Sequence, residues 1–401
     1  MELVLFRLNG IKVPTTEPVR HWAFRIRAPW INWRAGRIAD PVARLRYLRS
    51  ATDAEKLPRI PKVALLALGL GTAAALIIPG HTQLLSSAIS SPPQPRHAAP
   101  AAPADPGVDV WLVESKEKQY ELYSNGLRIE TAHAVKNVPR AWRECELPKY
   151  TPGALRKDPV GIVYHTTENH QLPFEAEENA GLLRMGEGLL RYVKQHQSYH
   201  YVIDRFGRVH RVVEEAHAAA HAGYSLWADA QLAYINMNHE FLGVGFETAT
   251  APGDELPASI NPAQVRSARA LTEMLRTRYR IPASNCVTHA QVSVNPKNHR
   301  IGNHTDWASN FPFLEVGLPD NYGLALPAME LFGFGYDQDF VKATGNRLWK
   351  GLLLTEERVR QAASARGLSV PEYRALAKKH YRDLMAEWSA LRESMKEETG
   401  Q

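Results

Sequence analysis

The sequence predicts an α/β domain, a central β-sheet flanked by helices, with a single transmembrane helix before it and a helical extension behind it. Three observations carry this. Strand-length apolar runs alternate with helix-period segments across residues 108–330. No Asp, Glu, Lys or Arg occurs from Val63 to Pro95. The residues beyond 331 keep a helical repeat almost to the end. The organisation expected is a basic cytoplasmic segment (1–62), a transmembrane helix (63–83), a linker (84–107), a main domain (108–330) and a C-terminal helical extension (331–401).

Composition sets the outer limits. Of 401 residues, 44% are hydrophobic and 22% charged, enough to bury a core and too mixed for wholesale disorder or a many-span membrane protein. The net charge of +6 is uneven: thirteen Lys and Arg face five Asp and Glu up to Lys62, leaving 35 basic and 37 acidic residues for the rest. The basic character belongs to the N-terminal segment, so no nucleic-acid partner is expected for the domain. Two cysteines, Cys145 and Cys286, exclude a disulfide scaffold and a Cys-rich zinc module. One bridge between them and two buried thiols both stay open.

The elements follow in chain order. Residues 1–62 mix Trp22, Trp30 and Trp33 with many Arg, a composition that suits either an anionic membrane surface or a plain cytoplasmic tail. VALLALGLGTAAALII, 63–78, is 16 uncharged residues, and the stretch behind it extends it to bilayer-spanning length. The basic flank precedes it, so the N-terminus is expected inside the inner membrane and the rest in the periplasm or outside the cell. A cleaved signal peptide is the rival reading. SSPPQPRHAAPAAPADPG, 90–107, reads as a semi-rigid spacer.

In the main domain, VWLVES and QYELYSNGLRIETAHAV predict a hairpin turning at Ser124-Asn125-Gly126. GIVYH (161–165), LGVGFE (242–247) and CVTH (286–289) read as strands, and HYVID with RVHRVV as a hairpin through Arg205-Phe206-Gly207. GLLRMGEGLLRYVKQ, between Pro173 and Gln197, reads as an inserted helix. Val265, Ala268, Leu271, Leu275 and Tyr279 predict a helix over 262–279. TEERVRQAASARG is a helix stopping at Gly367. Ser369-Val370-Pro371-Glu372 is a capping box that opens a last helix, with an apolar stripe of Tyr373, Leu376, Leu384, Trp388 and Leu391. These helices are expected to pack on the main domain or on a partner.

Histidines cluster where strands end. His165 closes GIVYH, His289 closes CVTH, and His299, His304 and Asp306 follow in a loop. Open α/β sheets place their sites at such strand ends. A catalytic zinc site takes three His or carboxylate ligands and keeps one position open. His165, His289 and Asp306 could supply these from three elements, although no compact HExxH singles them out. His170, His217 and His239 are read as non-ligands.

From about 158 to 313 the chain resembles the type-2 N-acetylmuramoyl-L-alanine amidases, zinc enzymes related to peptidoglycan recognition proteins and phage lysozyme-amidases. Seven stretches match in order: VGIVYHTTEN, SYHYVIDRFGRVHRVV, AAAHAG, GVGFE, NPAQVRSARALTEMLRTRYRIP, THAQVS and HTDWASNFPF. The resemblance implies a central mixed sheet flanked by helices. It implies Zn2+ held by His165, His289 and Asp306, with Phe311 and Phe313 in the expected places behind the third ligand. Glu247 matches the acidic residue that acts as base toward the attacking water, and Tyr199 the tyrosine lining the site. His304 stands where these amidases usually carry Lys and would stabilise the oxyanion. It also remains an alternative third ligand, because the stretch from His289 to Asp306 is longer than usual. His221 and Trp307 are expected to contact substrate. The activity implied is hydrolysis of the amide between N-acetylmuramic acid and L-alanine in peptidoglycan; independently of the resemblance, the apolar stretch 63–83 is expected to anchor the enzyme in the bilayer. The alternative is a non-catalytic, membrane-anchored peptidoglycan sensor on the same fold.

Overall fold

The computed structural model describes residues 5–8, 11–14, 109–250 and 259–399. The expected transmembrane helix, the linker and most of the basic segment lie outside the described residues. No helix among the described residues is long and apolar enough to cross a membrane. The chain divides into two units, Met1–Pro95 and Arg96–Gln401. In the first, β1 (Leu5–Leu8) pairs antiparallel with β2 (Ile11–Pro14).

The second unit opens with a meander of β3 (Leu112–Lys116), β4 (Tyr120–Tyr123) and β5 (Arg128–Glu130). The turn into β5 is the expected one, with Gly126 N–H donating to Tyr123 O at 2.9 Å and Gly126 at φ +82°. β6 (Trp142–Glu146) and β7 (Thr151–Arg156) form an antiparallel pair. β8 (Gly161–Thr166) is buried along its whole length. The inserted helix is α1 (Asn179–Gln195). β9 (Tyr201–Ile203) and β10 (Val209–Arg211) make the second hairpin, turned by Asp204, whose Oδ1 accepts from Phe206 N and Arg208 N at 2.9 Å each.

β11 (Trp227–Ala228) and β12 (Leu232–Tyr234) join β6 and β7 in a four-stranded antiparallel sheet. This sheet has no clear sequence signal. Its edge strand β7 carries Pro152 and Gly153 and is largely exposed, so its segment reads as a loop. After α2 (Met237–Glu240) comes β13 (Phe241–Phe246), buried throughout. α3 (Pro262–Tyr279) begins at Asn261, whose side chain accepts from Ala263 N and Gln264 N while Gln264 answers on the Asn261 N–H. β14 (Cys286–Thr288) ends one residue earlier than CVTH implies. Thr288 caps α4 (His289–Val292), so His289 opens a helical turn instead of closing a strand. The long stretch before Asp306 folds into a small ladder, β15 (Val294–Asn295) with β16 (Arg300–Ile301).

The main sheet has the order β14-β8-β13-β9-β10-β5-β4-β3. β14, β8, β13 and β9 run parallel to one another, and the remainder is mixed. Strands buried on both faces read as unbroken apolar runs, which is why GIVYH and LGVGFE stand out in the sequence. Alternation then sorts their side chains. Ile162, Tyr164, Val244 and Phe246 pack with Leu271 and Leu275 of α3, whereas Val163 and Phe241 pack on the opposite face.

That opposite face is covered by the C-terminal helices: α5 (Pro327–Glu330), α6 (Gln338–Ala343), α7 (Lys350–Ala365) and α8 (Val370–Thr399). Phe332, Phe334, Phe340, Trp349, Leu352, Leu384 and Trp388 share one core with Val163, Phe241 and Val287 of the sheet. The capping box forms, with Ser369 Oγ donating to Glu372 Oε2 at 2.6 Å. One stripe residue is misassigned: Leu376 is 52% exposed, and the buried line runs through Tyr381 to Leu384 and Trp388. From Tyr373 the half-buried line passes through Ala377 to Tyr381, and Leu376 lies one position, about 100° of helix rotation, to the side of Ala377. Cys145 and Cys286 are free buried thiols, so the bridge left open by the sequence is not formed.

Candidate metal centre and active site

Parallel strands bring their C-terminal ends to one edge. β8 and β13 are in register with His165 beside Gly245 and Thr166 beside Phe246, and β14 matches Thr288 to Tyr164. His165, Glu247 and His289 therefore emerge side by side although 82 and 42 residues separate them in sequence. Asp306 arrives from the loop after β16. Trp307 adopts the left-handed conformation (φ +57°), which turns its ring toward Phe246 and Phe311.

The ligating atoms of His165, His289 and Asp306 lie within 4.8 Å of one another, and all three residues are buried. His289 Nδ1 stands 2.8 Å from Asp306 Oδ1, and His165 Nδ1 stands 3.2 Å from Oδ2. Burial, reinforced by His289, pushes the His165 imidazole down to about 4, so it is neutral at pH 7. Burial alone would raise the Asp306 carboxyl, but His289 and His165 hold it well below the usual carboxylate range. Two imidazoles and one carboxylate converging on one point are a donor set suited to zinc with an open position. His304 is outside this cluster. It is exposed, its ring stacks on His289 at 4.7 Å, and its N–H donates to Ser293 Oγ at 3.0 Å. The carboxylate of Asp306, not the His304 ring, completes the three-atom group.

Glu247 is buried just beyond β13. Its Oε2 accepts from Arg205 N at 3.0 Å, and the backbone of Gly186 on α1 leaves room beside it. Burial lifts its carboxyl above the ordinary value, with the Arg205 N–H pulling the other way. By alternation it faces the same side as Gly243 and Gly245. Those glycines are needed. A Cβ on Gly245 would press on Tyr199 Cδ2 at 3.2 Å, and one on Gly243 would meet His221 Cδ2 at 2.9 Å. Tyr199 lies against His165 with ring centroids 5.1 Å apart, and its hydroxyl donates to Thr166 O at 3.4 Å.

One expected substrate contact is placed elsewhere. Trp307 is fully buried in the core between the sheet and α3. An aromatic next to a ligand has no sequence mark that tells a stacking platform from a core residue, and the positive φ decides it here. His221 stands behind His165, with Nδ1 3.2 Å from His165 Nε2 and Nε2 3.3 Å from Phe241 O. His170, His217 and His239 take no part in the metal cluster. The supporting groups that sequence reasoning missed are the Ala222 carbonyl, 3.3 Å from His289 Nε2, and Asn238, whose Oδ1 accepts from His221 N and Ala222 N. A backbone carbonyl leaves no signal in sequence.

Comparison with known proteins adds the family. Residues 155–307 match the family model described as N-acetylmuramoyl-L-alanine amidase. No curated protein matches the chain. Among solved structures it is similar to the N-acetylmuramyl-L-alanine amidase AmiD from E. coli, in complex with anhydro-N-acetylmuramic acid-L-Ala-D-gamma-Glu-L-Lys. The identity is 23% and the TM-score 0.30, over 40% of this chain and 56% of that one. It is similar to AmpDh3 from Pseudomonas aeruginosa in complex with anhydromuramic pentapeptide, at 20% identity and TM-score 0.30, over 53% of this chain and 69% of that one. It is also similar to the N-acetylmuramoyl-L-alanine amidase LysC from Clostridium intestinale, at 20% identity and TM-score 0.25, over 46% and 93%. The chain thus spans little more than half of the AmiD structure it matches. Over residues 155–307, and over that stretch alone, the chain is similar to the N-acetylmuramoyl-L-alanine amidase family.

Proposed function

We propose that the protein is a zinc-dependent amidase that cleaves the bond between the lactyl group of N-acetylmuramic acid and L-alanine of the peptidoglycan stem. The observation that carries this is the buried His165, His289 and Asp306 cluster at the strand ends of a domain similar to the amidase family. A zinc ion held there would supply Lewis-acid activation of water and of the amide carbonyl. The chain's own residues do the rest. Glu247, whose burial raises its proton affinity, takes the proton of the attacking water and delivers it to the leaving amine. His304, exposed at the rim on the face of His289, offers an N–H to the carbonyl oxygen as charge develops there. Tyr199 forms a wall against His165 and limits how the substrate approaches.

The same reading places residues 109–399 outside the cytoplasm, held by the apolar stretch 63–83 and reaching the wall over the Pro-rich linker. Protease accessibility of the domain on intact spheroplasts tests this.

The activity is tested on the full chain with purified peptidoglycan, with and without chelator, and products read by mass spectrometry. Chelator-sensitive release of stem peptides beginning with L-alanine is expected. Cleavage within the stem, or release unaffected by chelator, refutes the proposal. Zinc bound without any release would favour a recognition module.

A further inference from the structure

His221 and Ala222 occupy adjacent positions, and each faces the outer nitrogen of one histidine ligand. His221 Nε2 lies 3.3 Å from the Phe241 carbonyl. A carbonyl only accepts, so Nε2 carries the hydrogen and Nδ1 of the neutral ring presents a lone pair. That lone pair lies 3.2 Å from His165 Nε2. His165 Nε2 must then be the protonated nitrogen, which leaves its Nδ1 lone pair directed at the cluster. His289 follows the same logic. Its Nε2 lies 3.3 Å from the Ala222 carbonyl, which leaves Nδ1 beside Asp306.

The dipeptide is itself fixed. Asn238 Oδ1 accepts from His221 N at 3.0 Å and from Ala222 N at 2.8 Å. Buried Arg140 donates to the same Phe241 carbonyl at 3.3 Å and also grips the Glu215, His217 and His239 carbonyls. Gly243 provides the space for the His221 ring, since a Cβ there would meet His221 Cβ and Cδ2 at 2.9 Å.

We infer that His221 is a positioning residue: anchored on the Phe241 carbonyl, it holds His165 in the tautomer and orientation that present Nδ1 to the metal. This rests on the zinc reading of the site and extends it to a residue outside the three-residue ligating group. Outer partners of ligand histidines commonly alter metal affinity by about 10–100-fold.

Two variants of the full-length protein separate the relevant atom from mere volume. His221→Asn keeps an acceptor oxygen where Nδ1 stands. His221→Gln reaches toward Phe241 but leaves His165 Nε2 unpartnered. Zinc affinity is measured by competition with a chromophoric chelator, and the fold by circular dichroism. Long-range 1H–15N spectra report the tautomer of His165. Wild type is expected to bind about one zinc with the Nε2–H tautomer of His165. Gln should weaken zinc by about 10–100-fold and mix the tautomers, and Asn should restore most of the affinity. Wild-type affinity in the Gln variant, or equal loss in Asn and Gln, overturns the inference while leaving the zinc site standing. Absence of zinc in the wild-type protein overturns both.

Discussion

Gly302 is where the C-terminal helices press on the loop that carries Asp306. It sits at φ +69°, and an added Cβ would come within 2.7 Å of Phe340 Cε2 and nearer still to Cδ2. Phe340 is 2% exposed and hemmed by Trp349, with ring centroids 5.1 Å apart, so it has little room to retreat. Gly302→Ala therefore carries two costs. A Cβ in the left-handed region costs roughly 1–2 kcal/mol. Overpacking a filled core adds about 1–3 kcal/mol. The total, about 2–5 kcal/mol, should appear as a lower urea midpoint at unchanged slope. Gly302 N–H donates to Ser293 O at 2.8 Å and His304 N–H to Ser293 Oγ at 3.0 Å, so displacement of this segment should also loosen the Asp306 loop and weaken zinc. Phe340→Ala alone should cost about 3–5 kcal/mol. The double variant should cost less than the sum by about 1–3 kcal/mol, because the cavity accepts the new methyl. A Gly302→Ala change within about 0.5 kcal/mol of wild type, or strict additivity in the cycle, would refute this account of the contact.

Three further outcomes are expected. Asp306→Ala should lose zinc, measured by metal analysis, whereas His304→Ala should keep about one zinc per chain and lose hydrolysis rate, because only Asp306 belongs to the ligating cluster. Glu247→Gln should abolish hydrolysis yet raise the melting temperature at pH 8, with the gain shrinking toward pH 4. Its raised carboxyl means that the folded chain holds the proton more tightly than the unfolded one. The ionised form therefore costs stability above the folded pKa, and the cost vanishes below the unfolded value. A stabilisation independent of pH would contradict the raised carboxyl. Cys145 and Cys286, each pushed up to about 12 by burial, should resist a thiol reagent in the native protein and react as two thiols in denaturant.

What was legible in the sequence follows from local physics. β8 and β13 are buried on both faces, so their apolar runs had to be continuous, and α3 carries its boundaries in Asn261, Pro262 and the helical spacing of its core residues. The ligand set is named by the resemblance of the stretches around His165, His289 and Asp306; a strand position marks His165 alone, because His289 opens α4 and Asp306 lies in a loop. The four-stranded sheet could not be read, since β11 and β12 are only two and three residues long and β12 finds its partner β6 more than 80 residues back in the chain.

The sequence by itself determined the strands of the main sheet and the main helices, because burial and capping act on neighbouring residues. Only the tertiary structure decided the roles of similar residues. It sent Trp307 into the core through a left-handed backbone, set the His221 ring against His165 Nε2, and left His304 exposed while Asp306 joined the histidines. Each of those outcomes depends on what packs across the sheet from the residue. That information is spread over segments far apart in the chain and is fixed only when the strand ends are brought together.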